Sequence, residues 1–175
     1  MRKGLVSLLA VAALLVSAQS ASAQGFKFGP RAAYGTDYDI AIGGMATLGF
    51  NTVLFEGAGP LTGALAIDYF IDCPFDGDFG NEDYSCGLLE ITPTAFVPFS
   101  NGLYAGAGLN YARFSFDVDT GFGDFGASGS EIGLAIHGGY MFDLGGQTAM
   151  ADARFALGGS EQLVLSFAYL FGGSN

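Results

Sequence analysis

The segment that most limits what this chain can become is its last run of alternating residues. Leu163, Leu165, Phe167, Tyr169 and Phe171 alternate with the smaller set Val164, Ser166, Ala168 and Leu170. Side chains of a β-strand point to opposite faces in turn, so this strand carries one large apolar and aromatic face. A soluble sheet could use such a face as half a core. Seven further segments repeat it in a chain that reads as exported, and the economical solution is then a closed β-barrel whose outside meets lipid.

Export is read from the N-terminus. Arg2 and Lys3 precede an apolar run from Leu5 to Val16, and Ala21-Ser22-Ala23 supplies small residues at the positions a signal peptidase requires. The expected division is a signal peptide at 1–23, cleaved after Ala23, and a single barrel domain at 24–175. The apolar run is shorter than the ~20 residues of a membrane-spanning helix.

Composition supports the same class. Half the residues are hydrophobic and only 13% are charged, with 29 glycines to accommodate twist and curvature. The formal net charge of −11 becomes two units more negative once Arg2 and Lys3 are removed. Such a chain repels phosphate, which excludes nucleic acid as a partner.

Eight strands are expected: Phe26–Tyr34, Ile40–Phe50, Leu61–Ile71, Leu88–Phe99, Leu103–Phe116, Glu131–Phe142, Thr148–Leu157 and Leu163–Phe171. Most have the ~9–11 residues that a tilted membrane strand needs. In the fifth, Phe114 and Phe116 fall on the wrong parity, which predicts a bulge near Arg113. Pro30 requires a place where its missing N–H is harmless. Connections after strands two, four and six are expected to be short, and those after three and five long. This pattern puts tight turns and both termini in the periplasm and long loops outside.

Taken together, the signal peptide, the eight alternating strands and the terminal Phe167-Ala168-Tyr169-Leu170-Phe171 resemble the small outer-membrane β-barrels of the OmpA/OmpX kind. The resemblance covers nearly the whole mature chain. It implies an all-β, eight-stranded antiparallel up-and-down transmembrane barrel in the cell outer membrane, surrounded by outer-membrane lipid and lipopolysaccharide. It further implies that Phe167, Tyr169 and Phe171 form a signal read by the barrel-assembly machinery. Gly172-Gly173-Ser174-Asn175 follows the terminal aromatic, a departure from the family pattern. Trp is also absent, leaving Phe and Tyr to form the interfacial belts.

An eight-stranded barrel is narrow enough for side chains to fill it. The inward faces are expected to carry Lys27, Arg31, Asp68, Glu90, Glu131, His137, Asp152 and Arg154. Of these, Arg31, Glu90, His137, Asp152 and Arg154 form the expected lumen charge network. Breaking one buried pair typically costs ~3–5 kcal/mol, so the network locks the interior.

Cys73 and Cys86 are the two cysteines and read as a disulfide in an exported protein. Closing a loop of this length stabilises by ~3 kcal/mol in the chain-entropy model. Asp76, Asp78, Glu82 and Asp83 lie between them, with Asp72 just outside, and Asp117, Asp119 and Asp124 follow in the next long connection. These clusters read first as a solvated acidic surface, with divalent-cation binding at Asp76, Asp78, Glu82 and Asp83 as the alternative. The string Gly121-Phe122-Gly123-Asp124-Phe125-Gly126 has the spacing of a phosphate loop but no βαβ context, and reads as a loop.

No cofactor or catalytic residue is expected. Serine hydrolysis needs a Ser beside a His oriented by a carboxylate, and the sole histidine, His137, sits mid-strand facing inward. The expected function is therefore structural or surface-interacting, in a monomer with a filled lumen and acidic outer loops. The alternatives are a lipid A-modifying barrel enzyme of the deacylase or acyltransferase class using His137, and a soluble periplasmic lipocalin-like barrel.

Overall fold

The computed structural model describes residues 24–71, 83–120, 123–158 and 160–172. The signal peptide read at 1–23, together with Cys73, Asp76, Asp78 and Glu82, lies outside them. Eight strands follow in order: β1 (Gln24–Gly35), β2 (Asp39–Gly49), β3 (Thr62–Phe70), β4 (Asp83–Pro98), β5 (Leu103–Thr120), β6 (Gly123–Leu144), β7 (Gln147–Leu157) and β8 (Leu163–Gly172). Each pairs antiparallel with the next, and β8 returns to β1 to close the barrel. Around the barrel itself, closure gives each described strand a partner on both sides, which hydrocarbon demands of any sheet that crosses it.

Local chemistry sets the register. Leu144 pairs with Gln147, so Gly145 and Gly146 form a two-residue turn, and their φ values of 66° and 80° are the pair that a twisted hairpin needs. The pairing of β1 with β8 skips from Phe28 to Arg31, across Pro30, and that of β4 with β5 skips from Ile91 to Thr94, across Pro93. Each proline thus places its missing donor at a gap in one ladder while the other ladder runs on.

Exposure is inverted relative to a soluble protein. Ile132 is 71% exposed, Leu134 57% and Ile136 55%, whereas Glu90 is 0% and Arg154 2% exposed. Outward-facing Phe28, Ile42, Ile67, Tyr69, Leu109, Phe155, Leu165 and Phe167 continue this apolar belt around the barrel. A surface of this size and continuity calls for an apolar surrounding.

Four expectations need correction. First, β5 and β6 run on to Thr120 and Gly123 and stay paired, with Asp117 opposite Gly126 and Asp119 opposite Asp124. The long acidic loop expected after strand five is therefore a strand extension, and Gly123 to Gly126 belong to β6. Apolar alternation fades there because backbone ladder bonds, which do not depend on burial, hold the arms together. β4 joins them, with Asp83 opposite Asp119 and Cys86 opposite Phe116, so three strands rise past the rim as a wall.

Second, no bulge interrupts β5 at Arg113, since pairing to both neighbours is continuous from Cys86–Phe116 to Glu90–Ala112 and from Leu103–Tyr140 to Thr120–Gly123. Phe114 keeps its inward parity and packs onto the upper interior cluster. An aromatic ring facing inward is favourable there because it closes the mouth. Third, the connection after β2 spans 50–61, so it is not short. Fourth, Glu131 has inward parity but lies above the filled interior and is exposed.

Candidate functional site

The interior is built in three layers, and β4 alone shows their order. Its successive inward residues are Leu88, Glu90, Thr92, Thr94 and Phe96: apolar, acidic, polar, polar, aromatic. At the end carrying the even-numbered connections, Met45, Phe96, Tyr104, Met150, Ala168 and Leu170 pack together. At the opposite end, Ala33, Ala41, Phe70, Leu88, Ala112 and Val164 form a second cluster, with Tyr38 and Phe114 above it. The charged groups lie between these two apolar plugs.

All five residues expected in the lumen network are buried and meet there. Glu90 is the centre of one half. It accepts hydrogen bonds from Arg154, from Ser160, from Gln162 Nε2 at 3.0 Å and from Asn110 Nδ2 at 3.4 Å. Arg154 also donates to Thr92 and lies 3.8 Å from Asp68. Arg31 Nε donates to Asp68 at 3.0 Å, which links β1 to β3. Asp152 centres the other half: it accepts from Tyr104 Oη at 2.7 Å and from His137 Nδ1 at 3.0 Å, with Arg31 Nη2 3.9 Å away. Three carboxylates thus face two guanidinium groups and one imidazole. The two guanidinium groups and the hydrogen-bond donors around Glu90 and Asp152 together hold these carboxylates, as a low-dielectric interior requires.

Some partners were not legible in the sequence. Ser160 and Gln162 sit between Gly158 and β8, where two polar residues look like an ordinary solvated turn. They instead turn inward and saturate Glu90. Tyr104 has the inward parity of β5 but nothing in the sequence names its partner; its ring packs 4.8 Å from Phe96 and its hydroxyl reaches Asp152. At the upper mouth, Tyr38 lies 6.1 Å from Phe70. Burial first, and then the carboxylates of Asp37 and Glu90, hold its phenol above the usual range.

His137 is positioned as a structural member of this set. Nδ1 carries the proton that Asp152 accepts, while Nε2 is buried and has no hydrogen-bond partner. Gly106 lies directly beneath, and a Cβ there would stand 2.6 Å from Nε2 and 2.4 Å from the Ala95 carbonyl oxygen. The imidazole therefore occupies the space that a side chain at 106 would fill.

The remaining expected residues lie elsewhere. On the outer face of β8, Phe167 and Phe171 are exposed, with Tyr169 and Phe171 edge to face at 5.0 Å. Tyr169 also donates to the Leu144 carbonyl at 3.1 Å. Lys27 Nζ donates to Thr148 Oγ1 at 2.7 Å near the lower rim. Among the described residues no cysteine is free. No group of three or more His, Cys, Asp or Glu among the described residues is arranged to hold a metal ion; of the acidic loop, only Asp83, which opens β4, falls within them.

A closed eight-stranded barrel with an apolar belt outside and a hydrogen-bonded charge layer inside is the architecture of a small outer-membrane β-barrel. Solved structures of one such barrel agree at the level of fold. Ail, the attachment invasion locus protein of Yersinia pestis, is similar with a TM-score of 0.51 and 12% identity, over 85% of this chain and 98% of that one. Ail in complex with the heparin analogue sucrose octasulfate gives the same TM-score at 13% identity, over 85% and 99%. The N-terminal β-barrel domain of Pseudomonas aeruginosa OprF is matched at 15% identity over 86% and 100%, with a TM-score of 0.44. No family model and no curated protein matches the sequence.

Proposed function

We propose that the chain, with residues 1–23 removed as a signal peptide, is a monomeric outer-membrane barrel with a structural or surface-interaction role. In this reading it conducts no solute and catalyses no reaction. The observation that carries it is the layered interior, in which a charge network is closed above and below by apolar plugs. Water and ions have no continuous polar path through such a stack. Purified protein in planar bilayers should give no sustained conductance, and stable single-channel steps would overturn the reading.

The enzyme alternative places a base at His137. Against it stands the burial of Nε2 over Gly106, without a hydroxyl partner. Lipid A incubated with the protein should remain unmodified; turnover that disappears in His137→Ala would establish the alternative. The soluble lipocalin-like reading is opposed by the exposed apolar belt and by the filled lumen.

The wall formed by β4, β5 and β6 is the surface this reading offers to the exterior. Its base is tied by the proposed Cys73–Cys86 disulfide, and Asp76, Asp78, Glu82 and Asp83 would make the rim acidic. The heparin-analogue complex belongs to Ail. A net charge two units more negative than the −11 of the full chain disfavours a sulfated polyanion here, so lipopolysaccharide phosphates would be approached through bridging divalent cations. NMR of that segment should show increased order with millimolar Ca²⁺ or Mg²⁺, and an unchanged spectrum would leave a solvated surface. During biogenesis the barrel-assembly machinery is the proposed reader of Phe167, Tyr169 and Phe171.

A further inference from the structure

The connection 50–61 lies at the end of the barrel where tight polar turns are expected, yet its tip carries Val53, Leu54 and Phe55 in succession. All three are exposed, at 57%, 56% and 52%. The segment is held in shape by its own backbone bonds. Phe50 N donates to Leu61 O, Leu61 N to Thr52 O and Gly59 N to Pro98 O, at 2.7 to 2.8 Å, and Ala58 bridges to Phe99. An ordered turn that presents three apolar side chains calls for a surface that covers them.

The direction in which the tip leans identifies that surface. A plug would fold across the lumen and pack on Phe96 or Met150. Instead the Phe55 ring lies 6.3 Å from that of Phe99, an outward-facing residue at the lower edge of the belt. Exposed Leu103 and Tyr140 adjoin the same edge, opposite each other on β5 and β6. The tip is thus continuous with the lipid-facing surface.

We propose that the 50–61 connection is an interfacial anchor that inserts Val53, Leu54 and Phe55 among the lipids of the near leaflet, beside the barrel wall. This rests on the reading that the belt faces a bilayer. Aromatic and aliphatic residues favour this depth, while Glu56 can remain at the headgroups. The anchor would set the depth of the barrel on the side opposite the arms of β4, β5 and β6.

The absence of Trp from the chain makes the test clean. Phe55→Trp and, as a reference in mid-belt, Ile136→Trp are each reconstituted in phosphatidylcholine vesicles whose acyl chains are brominated near the ester end or near the methyl end. For Phe55→Trp the expected result is blue-shifted emission, loss of most intensity with the shallow bromines, and little quenching by aqueous acrylamide. Adding Leu54→Asp should raise acrylamide quenching without altering the barrel's gel migration.

Lipid quenching of Ile136→Trp without lipid quenching of Phe55→Trp overturns the anchor and leaves the barrel in place. This holds whether the tip is then open to acrylamide or shielded by a second protein. Absence of lipid quenching at Ile136→Trp as well would overturn the bilayer reading itself.

Discussion

At the residue scale, Glu90 concentrates the most dependence in the molecule. Its carboxylate neutralises Arg154 and receives Ser160, Gln162 and Asn110, which tie β4, β5, β7 and the approach to β8 to one point. Glu90→Gln retains the shape but removes the nearest carboxylate of Arg154, which keeps only the more distant Asp68 at 3.8 Å, and should lower stability by ~3–5 kcal/mol. Adding Arg154→Met should cost less than the two single changes together, because the poorly paired charge is then gone. Urea unfolding followed by circular dichroism in lipid vesicles checks both. Gly106 gives a second case, set by space. Gly106→Ala places a methyl against the Ala95 carbonyl and His137, and should cost ~1–3 kcal/mol by the same measurement.

For single elements, β6 separates what lipid governs from what backbone pairing governs. Ile136 lies on its outward face, in a row with Ala107 and Phe155 on the neighbouring strands. A lysine near mid-bilayer typically costs ~2–4 kcal/mol, so Ile136→Lys should destabilise by that amount. Glu131→Lys on the same strand lies above the filled interior and should change stability by less than ~0.5 kcal/mol. Equal losses at the two positions, read from vesicle unfolding curves, would contradict the placement of the belt. The same strand explains where sequence reading succeeded and failed. Alternation was visible from Glu131 to Phe142 because one face meets lipid and the other a packed lumen. Above Glu131 both faces of the arm leave those environments, the pattern disappears, and hydrogen bonding to β5 continues without it.

On the scale of the whole molecule, closure makes the barrel a single cooperative object. Every strand has two partners, and the interior network joins residues as far apart in sequence as Arg31 and Asp152. Such a barrel should resist detergent until heated. Unboiled and boiled samples are therefore expected to migrate differently on a detergent gel, with the protein recovered in outer-membrane fractions. Identical migration, or recovery among soluble proteins, would count against the membrane barrel.

Strand number, and parity and inward charges below Phe114 and Glu131, were determined by the sequence alone, because a two-residue period between lipid and lumen marks each residue's face wherever both environments are present. His137, Arg31, Glu90, Asp152 and Arg154 could thus be assigned to one interior without coordinates. Which of them meet was decided only by tertiary structure, since closing the barrel sets the stagger between strands and brings β1 beside β8. The same applies to Ser160 and Gln162, turned inward to Glu90, and to Phe114, which closes the mouth without a bulge. It applies also to the apolar turn at 53–55, whose lean toward Phe99 depends on how the connection pairs with the end of β4. Local alternation reports environment, and only the closed barrel reports neighbours.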